Sequence, residues 1–230
     1  MTPEPIWKLK SFDTNFPTLQ KNLTVDVAVI GGGITGITTA QLLCQQGMKV
    51  VVLEARKVGQ GTTGHSTGNL YDVTEYRWEE LKKKHDLSIL KQITESRREI
   101  VAFISENVEE LKLDCDFEVV PMYIFENDET TNIDKEKEIA NEIGLSFTEI
   151  SMNEVPIPFH AGIKYEAQAQ LNPLSYVQQL AMHVSKDGCS IYENTHVNSI
   201  EEYKLRGEVV LKTEYAEIKA DYVVHATHTP

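Results

Sequence analysis

The stretch TVDVAVIGGGITGITTAQLL, Thr24 to Leu43, constrains this chain more than any other. Thr24–Ile30 is a short, nearly continuous apolar run rich in valine, the pattern of a strand buried on both faces of a parallel sheet. From Ile34 to Gln46 the spacing turns helical. Gly36, Ala40 and Leu43 share a face there, with Ile37 and Cys44 beside them. Gly47 follows the helix end, where a left-handed residue is favoured. Met48–Glu54 is a second buried strand. Strand, helix and strand together span about thirty residues, as a βαβ crossover requires.

Gly31, Gly33 and Gly36 form G-x-G-x-x-G between the strand and the helix. Gly31 permits the tight turn, Gly33 a close approach of backbone to a diphosphate, and Gly36 close packing of the helix on the sheet. Ile34 and Thr35 open the helix, whose free N–H groups favour an anion. Glu54, eighteen residues after Gly36, is placed to accept hydrogen bonds from ribose hydroxyls. Its charge disfavours a 2′-phosphate and hence NADP. NAD and FAD both use such a cradle. The segment GQGTTGHSTGNL, Gly59–Leu70, bears on the choice, with four glycines and four Thr/Ser residues in twelve positions. Its backbone can lie along an extended cofactor, and Thr62 and Thr63 can bond phosphate or ribitol hydroxyls. A plain Gly/Thr surface loop is the alternative.

The first 23 residues read as a lead-in with Pro3, Pro5 and Pro17. Helical spacing runs from Arg77 to about Leu111, with Asp86 as a cap between two helices. DFEVVPMYIFE reads as a strand bent or at an edge at Pro121. Residues 132–143 read as an amphipathic helix ended by Gly144, FTEI as a short strand and PIPF as a loop. Asn172 caps a helix with Pro173 at its first position, running to about Lys186 and closed by Gly188. The tail reads as strands SIYE, THVNSIEE, EVVLKT and EIKADYVVHAT, with a turn at Arg206-Gly207.

The net charge of −13 argues against a nucleic-acid partner, because such binding draws on Lys and Arg against phosphates. No run of 18 apolar residues exists, so no membrane-spanning helix is expected. Cys44, Cys115 and Cys189 are few and far apart, which fits a reducing, cytoplasmic compartment and no cysteine-held zinc or cluster. His225 and His228 form H-x-x-H across a strand end, where residues three apart face opposite sides, so no metal is expected. Tyr123 and Tyr165 can face a substrate, or belong to the core as strand aromatics usually do. No catalytic residue is assigned.

VIGGGITGITTAQLLCQQGMKVVVLEA, GQGTTGHSTGNL, the NP-headed helix, THVNSIE and ADYVVHAT occur in this order over nearly the whole chain. They resemble the FAD-dependent D-amino-acid oxidase superfamily, which includes glycine oxidase, sarcosine oxidase and dimethylglycine dehydrogenase. GGGITGITTA, TTGHSTG, EAQAQLNPLSY and HATHTP look most like the branch with a C-terminal Rieske domain, although no Rieske Cys-His pairs are present.

The resemblance implies an α/β fold: a Rossmann-like FAD-binding domain from residues 1–73 and 171–230, with an inserted α+β substrate or cap domain at 74–170. The C-terminal part of the family fold is missing from it, so the chain is expected to be truncated. The implied reaction is oxidation of a C–N bond in an amino acid or secondary amine, with flavin as hydride acceptor. A non-catalytic FAD- or dinucleotide-binding fragment is the alternative. The implied partners are the small-molecule amine and an electron carrier or Rieske domain outside this chain.

The FAD-contacting set implied by the resemblance is Gly31, Gly33, Ile34, Thr35, Gly36, Glu54, Ala55, Arg56, Thr62, Thr63, Gly64, His65, Gly68, Asn69, Val197, Ala226 and Thr227. In it Arg56 lies near the adenine end, Gly68 and Asn69 approach the isoalloxazine, and Val197 brackets adenine. Ala226 and Thr227 close over the first βαβ unit. His65 stands where the dimethylglycine dehydrogenase branch has a flavin-linked histidine, with a non-covalent contact as the alternative. His228 replaces a glycine the family usually has, which puts close backbone approach there in question.

Overall fold

A computed structural model describes residues 5–74, 77–126, 132–151, 153–203 and 207–228. In chain order the elements are β1 (Leu23–Ile30), α1 (Ile34–Gln45), β2 (Val50–Leu53), β3 (Asn69–Leu70), α2 (Trp78–Lys82), α3 (Leu87–Glu110), β4 (Glu118–Glu126) and α4 (Ile133–Ile143). Then follow β5 (Thr148–Glu149), β6 (Ala161–Gln170), α5 (Pro173–Lys186), β7 (Ser190–Tyr192), β8 (Ser199–Tyr203), β9 (Glu208–Lys212) and β10 (Glu217–His225). Short 3-10 turns occupy Ile6–Leu9 and Thr62–His65. The expected turn at Arg206-Gly207 lies partly outside the described residues. Gly207 itself has the left-handed φ of 61°.

The chain divides into two compact units. The first takes residues 1–67, 111–115 and 172–230 and holds a six-stranded sheet of order β7-β2-β1-β10-β9-β8. β7, β2, β1 and β10 are mutually parallel, while β9 and β8 continue antiparallel. β1 has Val27, Ala28 and Val29 all buried, and every residue of β2 is buried. Both are covered on two faces, as their unbroken apolar runs anticipate. α1 buries Gly36, Ile37, Ala40 and Gln41 and packs with α5. Leu43 shares the Gly36 and Ala40 face by spacing and is half-buried in the last turn, while Gln41, one turn after Ile37, is buried beside it. Gly47 has φ 80°, as its place after the helix requires. In α5 the Asn172 side chain accepts from Ser175 N at 3.0 Å, and Pro173 occupies the first turn.

The N-terminal segment is more than a lead-in. Thr14 and Leu19 are buried, Trp7 Nε1 donates to Ser66 O at 2.8 Å, and Ser175 Oγ donates to Lys10 O at 3.2 Å. Isolated apolar and hydroxyl residues in a proline-rich stretch carry no periodic signal, so their burial is invisible without the fold.

The second unit spans residues 68–110 and 116–171. Its sheet has β6 between β3 and β4, with β5 also paired to β6. The register shifts between Val120 and Met122 in edge strand β4. Pro121, which has no N–H to give, sits at that bulge. Trp78, Leu90, Ile124, Ile133, Ile163 and Tyr165 form the centre of the core. Asn132 caps α4 by accepting from Lys135 N, and Gly144 ends it with φ 81°.

Glu136 of α4 is 1% exposed and accepts from the Trp78 and Glu79 amides at 3.2 and 3.4 Å. It caps the first turn of α2 from a different helix. Burial pushes its carboxyl above the ordinary range, against the pull of the two amides.

Two predictions follow from this core. Ile163→Ala should lower stability by about 2–5 kcal/mol in urea unfolding, because Ile163 is fully buried. Glu136 holds its proton more tightly folded than unfolded, so its ionisation opposes folding. That opposition is absent below the unfolded value and complete above the raised folded one. The stability of the parent relative to Glu136→Gln should therefore fall as pH rises from about 4. Urea midpoints of both proteins across that range check the sign.

Candidate dinucleotide site

Parallel pairing builds the site. Ile30 pairs with Leu53 on one side and with His225 on the other, and Leu53 pairs with Tyr192. The next residues of four distant segments, Gly31, Glu54, Glu193 and Ala226, therefore emerge in one row at the carboxyl edge of the sheet. β1 is where the strand order reverses, the position at which open α/β sheets bind ligands.

The glycine roles separate cleanly. Gly31 has φ 112°, and a Cβ there would stand 2.7 Å from Ala226 O. A Cβ on Gly36 would stand 1.9 Å from Gly31 O. Both glycines are demanded by the chain's own packing. Gly33 is not: a Cβ there would meet only Thr63 Oγ1, at 3.1 Å. Its bare backbone leaves room at the head of α1, where first-turn amides lack intrahelical acceptors. Thr63 Oγ1 accepts from Ile34 N at 3.0 Å, so this threonine is tied to the helix start.

Glu54 is held ready. Its Oε2 accepts from Gly32 N at 2.7 Å and its Oε1 from Arg56 N at 2.8 Å. Each oxygen retains a lone pair for a ribose hydroxyl. Gly32, which no reading of the motif singled out, is fitted to this acid, since a Cβ on it would lie 3.0 Å from Glu54 Cβ.

The Gly/Thr segment is ordered by the fold as well as open to a ligand. Gly59 N donates to Gly32 O at 3.0 Å, and Gly64 N donates to Gly59 O at 2.8 Å. A Cβ on Gly64 would meet Gly59 O at 2.8 Å, so Gly64 has a packing reason of its own. Thr62 opens the 3-10 turn that His65 closes. The exposed His65 has Nδ1 2.9 Å from Gly61 O, which leaves Nε2 outward. The Arg56 guanidinium reaches toward Gly61, with Nη2 3.8 Å from where a Cβ would stand.

Ala55 lies directly after Glu54, and Val197 is half-buried between β7 and β8. Ala226 N donates to Ile30 O at 2.9 Å, placing Ala226 and Thr227 beside the cradle. The close approach on that side is met at Gly31 against Ala226, and His228 stands exposed beyond it. Gly68 and Asn69 belong to the other unit, where Gly68 has φ 76° and Asn69 opens β3. Tyr165 is 1% exposed within the second core, and Tyr123 stacks on Phe125 at 5.9 Å.

A buried glutamate escaped the sequence reading. Glu193, the residue after β7, is 0% exposed and ion-paired to Lys57 at 2.9 Å. Its neighbours Asn194 and Thr195 are polar, so nothing local marks it as interior. Among the described residues no group of three or more His, Cys, Asp or Glu side chains is placed to hold a metal. No helix among them is long and apolar enough to cross a membrane. The three cysteines form no disulfide. The Cys189 thiol donates to Val50 O at 3.7 Å, and burial raises the pKa of both Cys44 and Cys189.

Fold and cradle together define a dinucleotide-binding α/β protein. The family model described as FAD dependent oxidoreductase (DAO) matches residues 26–229, and the chain belongs to that family. It is 31% identical over 230 residues to YhfW of Bacillus subtilis (strain 168), named as a Rieske 2Fe-2S iron-sulfur protein, covering 99% of this chain and 45% of that one. It is 26% identical over 218 residues to gamma-glutamylputrescine oxidoreductase of Escherichia coli (strain K12), covering 92% and 50%. Glycine oxidase from Geobacillus kaustophilus has the same fold, with a TM-score of 0.75 at 20% identity over 89% of this chain and 55% of that one. The chain thus spans about half the length of the curated relatives it matches.

FAD is the cofactor of this family, and the residues present fit its adenosine diphosphate half. They offer a bare backbone at Gly33, a helix start behind it, and an acid already oriented at Glu54. Gly36→Ala should abolish flavin uptake and lower the melting temperature, because its methyl group lands on backbone. Retention of FAD by a folded Gly36→Ala protein would contradict the packing.

Proposed function

We propose that this chain carries the FAD-holding part of an oxidoreductase that oxidises a C–N bond in an amino acid or secondary amine. The observation that carries the reading is the single row of Gly31, Glu54 and Ala226 at the carboxyl edge of the parallel sheet. Gly31–Gly36 would receive the diphosphate, and Glu54 would accept from the adenosine ribose. Thr62, Thr63 and Arg56 would line the path of the cofactor. Bound flavin would supply the hydride acceptor. Gly68 and Asn69 would approach the isoalloxazine.

The amine class is supported by names among the relatives, a putrescine-derivative oxidoreductase and a glycine oxidase. An electron-transfer partner or Rieske domain outside this chain is supported by the printed name of YhfW. Cys44, Cys115 and Cys189, present as thiols and not as disulfides, support a cytoplasmic setting.

The test is a titration of the purified chain with FAD, followed by flavin fluorescence and the visible band, with ADP as competitor. Saturable binding that ADP displaces is expected. No uptake at about millimolar FAD would sink the reading. Anaerobic bleaching of the bound flavin by glycine, sarcosine, D-amino acids or polyamine derivatives then examines the substrate class. Bleaching by none of these removes the C–N assignment while leaving FAD binding intact.

A further inference from the structure

We propose that Glu193 is a positioning residue for the cofactor site, its buried carboxylate fixing the Glu54–Gly59 segment and, through it, the acid and cradle that grip the adenosine diphosphate half. The proposal rests on the FAD reading above.

A carboxylate removed from water is strongly unfavourable unless its lone pairs are filled. Glu193 is fully buried and filled. Its Oε1 accepts from Val58 N at 2.8 Å and from the Thr14 hydroxyl. Its Oε2 accepts from Lys57 Nζ at 2.9 Å, and the same ammonium donates to Thr14 O at 2.6 Å. The backbone on either side is locked to the same segment. Glu54 N donates to Tyr192 O, Asn194 N to Arg56 O and Thr195 N to Glu54 O, each at 2.9 Å. Asn194 takes a left-handed φ of 48° within this arrangement.

From Val58 the chain passes directly to Gly59, whose amide donates into the cradle at Gly32 O. Gly32 in turn donates to Glu54. Glu193 therefore stands at the closed end of a loop of bonds running through Lys57–Val58, Gly59, Gly32 and Glu54. An apolar residue of similar size would fill the same space without fixing Val58 N or Lys57. A buried ion pair is no more stabilising than good apolar packing, so its distinctive contribution is geometry.

The experiment compares the parent with Glu193→Gln, Lys57→Met and Lys57→Arg. Dissociation constants for FAD and for ADP are measured, and amide hydrogen exchange at Gly32, Arg56 and Gly59 is followed without ligand. Glu193→Gln and Lys57→Met should weaken FAD and ADP by the same factor, about tenfold or more, with faster exchange at those three amides and an unchanged near-UV spectrum. Lys57→Arg, which keeps the charge, should retain affinity.

FAD and ADP constants within about twofold of the parent in folded Glu193→Gln would overturn the proposal. If that variant fails to fold, Lys57→Met decides in the same way. A parent that binds neither ligand would sink the FAD reading and this inference together. A parent that binds both, with variants that bind equally well, would sink this inference alone.

Discussion

The site depends on the absence of a side chain at Gly36, which faces the carbonyl of Gly31. A single methyl group at Gly36 would sit 1.9 Å from that oxygen. Without the methyl, the first turn of α1 rests on the end of β1, and its free amides stand at the carboxyl edge of the sheet. Close packing on the other side, Gly31 against Ala226, draws the end of β10 to the same place. The cradle is thus a consequence of how tightly one helix and two strands meet.

The electrostatics are local. With a net charge of −13 the chain as a whole repels a diphosphate. Attraction must come from fixed dipoles at short range, the amides at the head of α1, where the helix field is strongest. Arg56 reaches toward Gly61 in the neighbouring Gly/Thr segment. Glu54 works in the opposite sense. Its carboxylate is held by the Gly32 and Arg56 amides, which leaves it able to accept from the hydroxyls of the proposed ribose.

Three carboxylates show how environment divides one chemistry into different roles. Glu54 is half-buried and keeps lone pairs for a ligand. Glu193 is buried with both oxygens bonded to the chain. Glu136, in the second unit, accepts from two backbone amides, and its carboxyl is raised by burial. The first suits binding, the second geometry and the third helix capping within an apolar core.

Much was legible in the residues themselves. The glycine spacing, the valine runs and the Asn172-Pro173 helix start are local signals, set by backbone sterics and by repeats a few residues long. Strand β1, helix α1, the α5 cap and the left-handed glycines at 47 and 144 all stand where those signals put them. Resemblance to the amine-oxidising flavoproteins added the later segments around Val197 and Ala226.

Burial of isolated polar residues was not legible. Thr14 and Glu193 lie 179 residues apart, Thr14 between Asp13 and Asn15 and Glu193 followed by Asn194 and Thr195. The fit of Gly32 to Glu54 follows from the fold, where a Cβ on Gly32 would lie 3.0 Å from Glu54 Cβ. Sequence alone determined which short elements form and where a dinucleotide cradle begins. Only the tertiary structure decided which charges are interior and what they hold, because that depends on contacts between segments brought together by strand register and not by proximity along the chain.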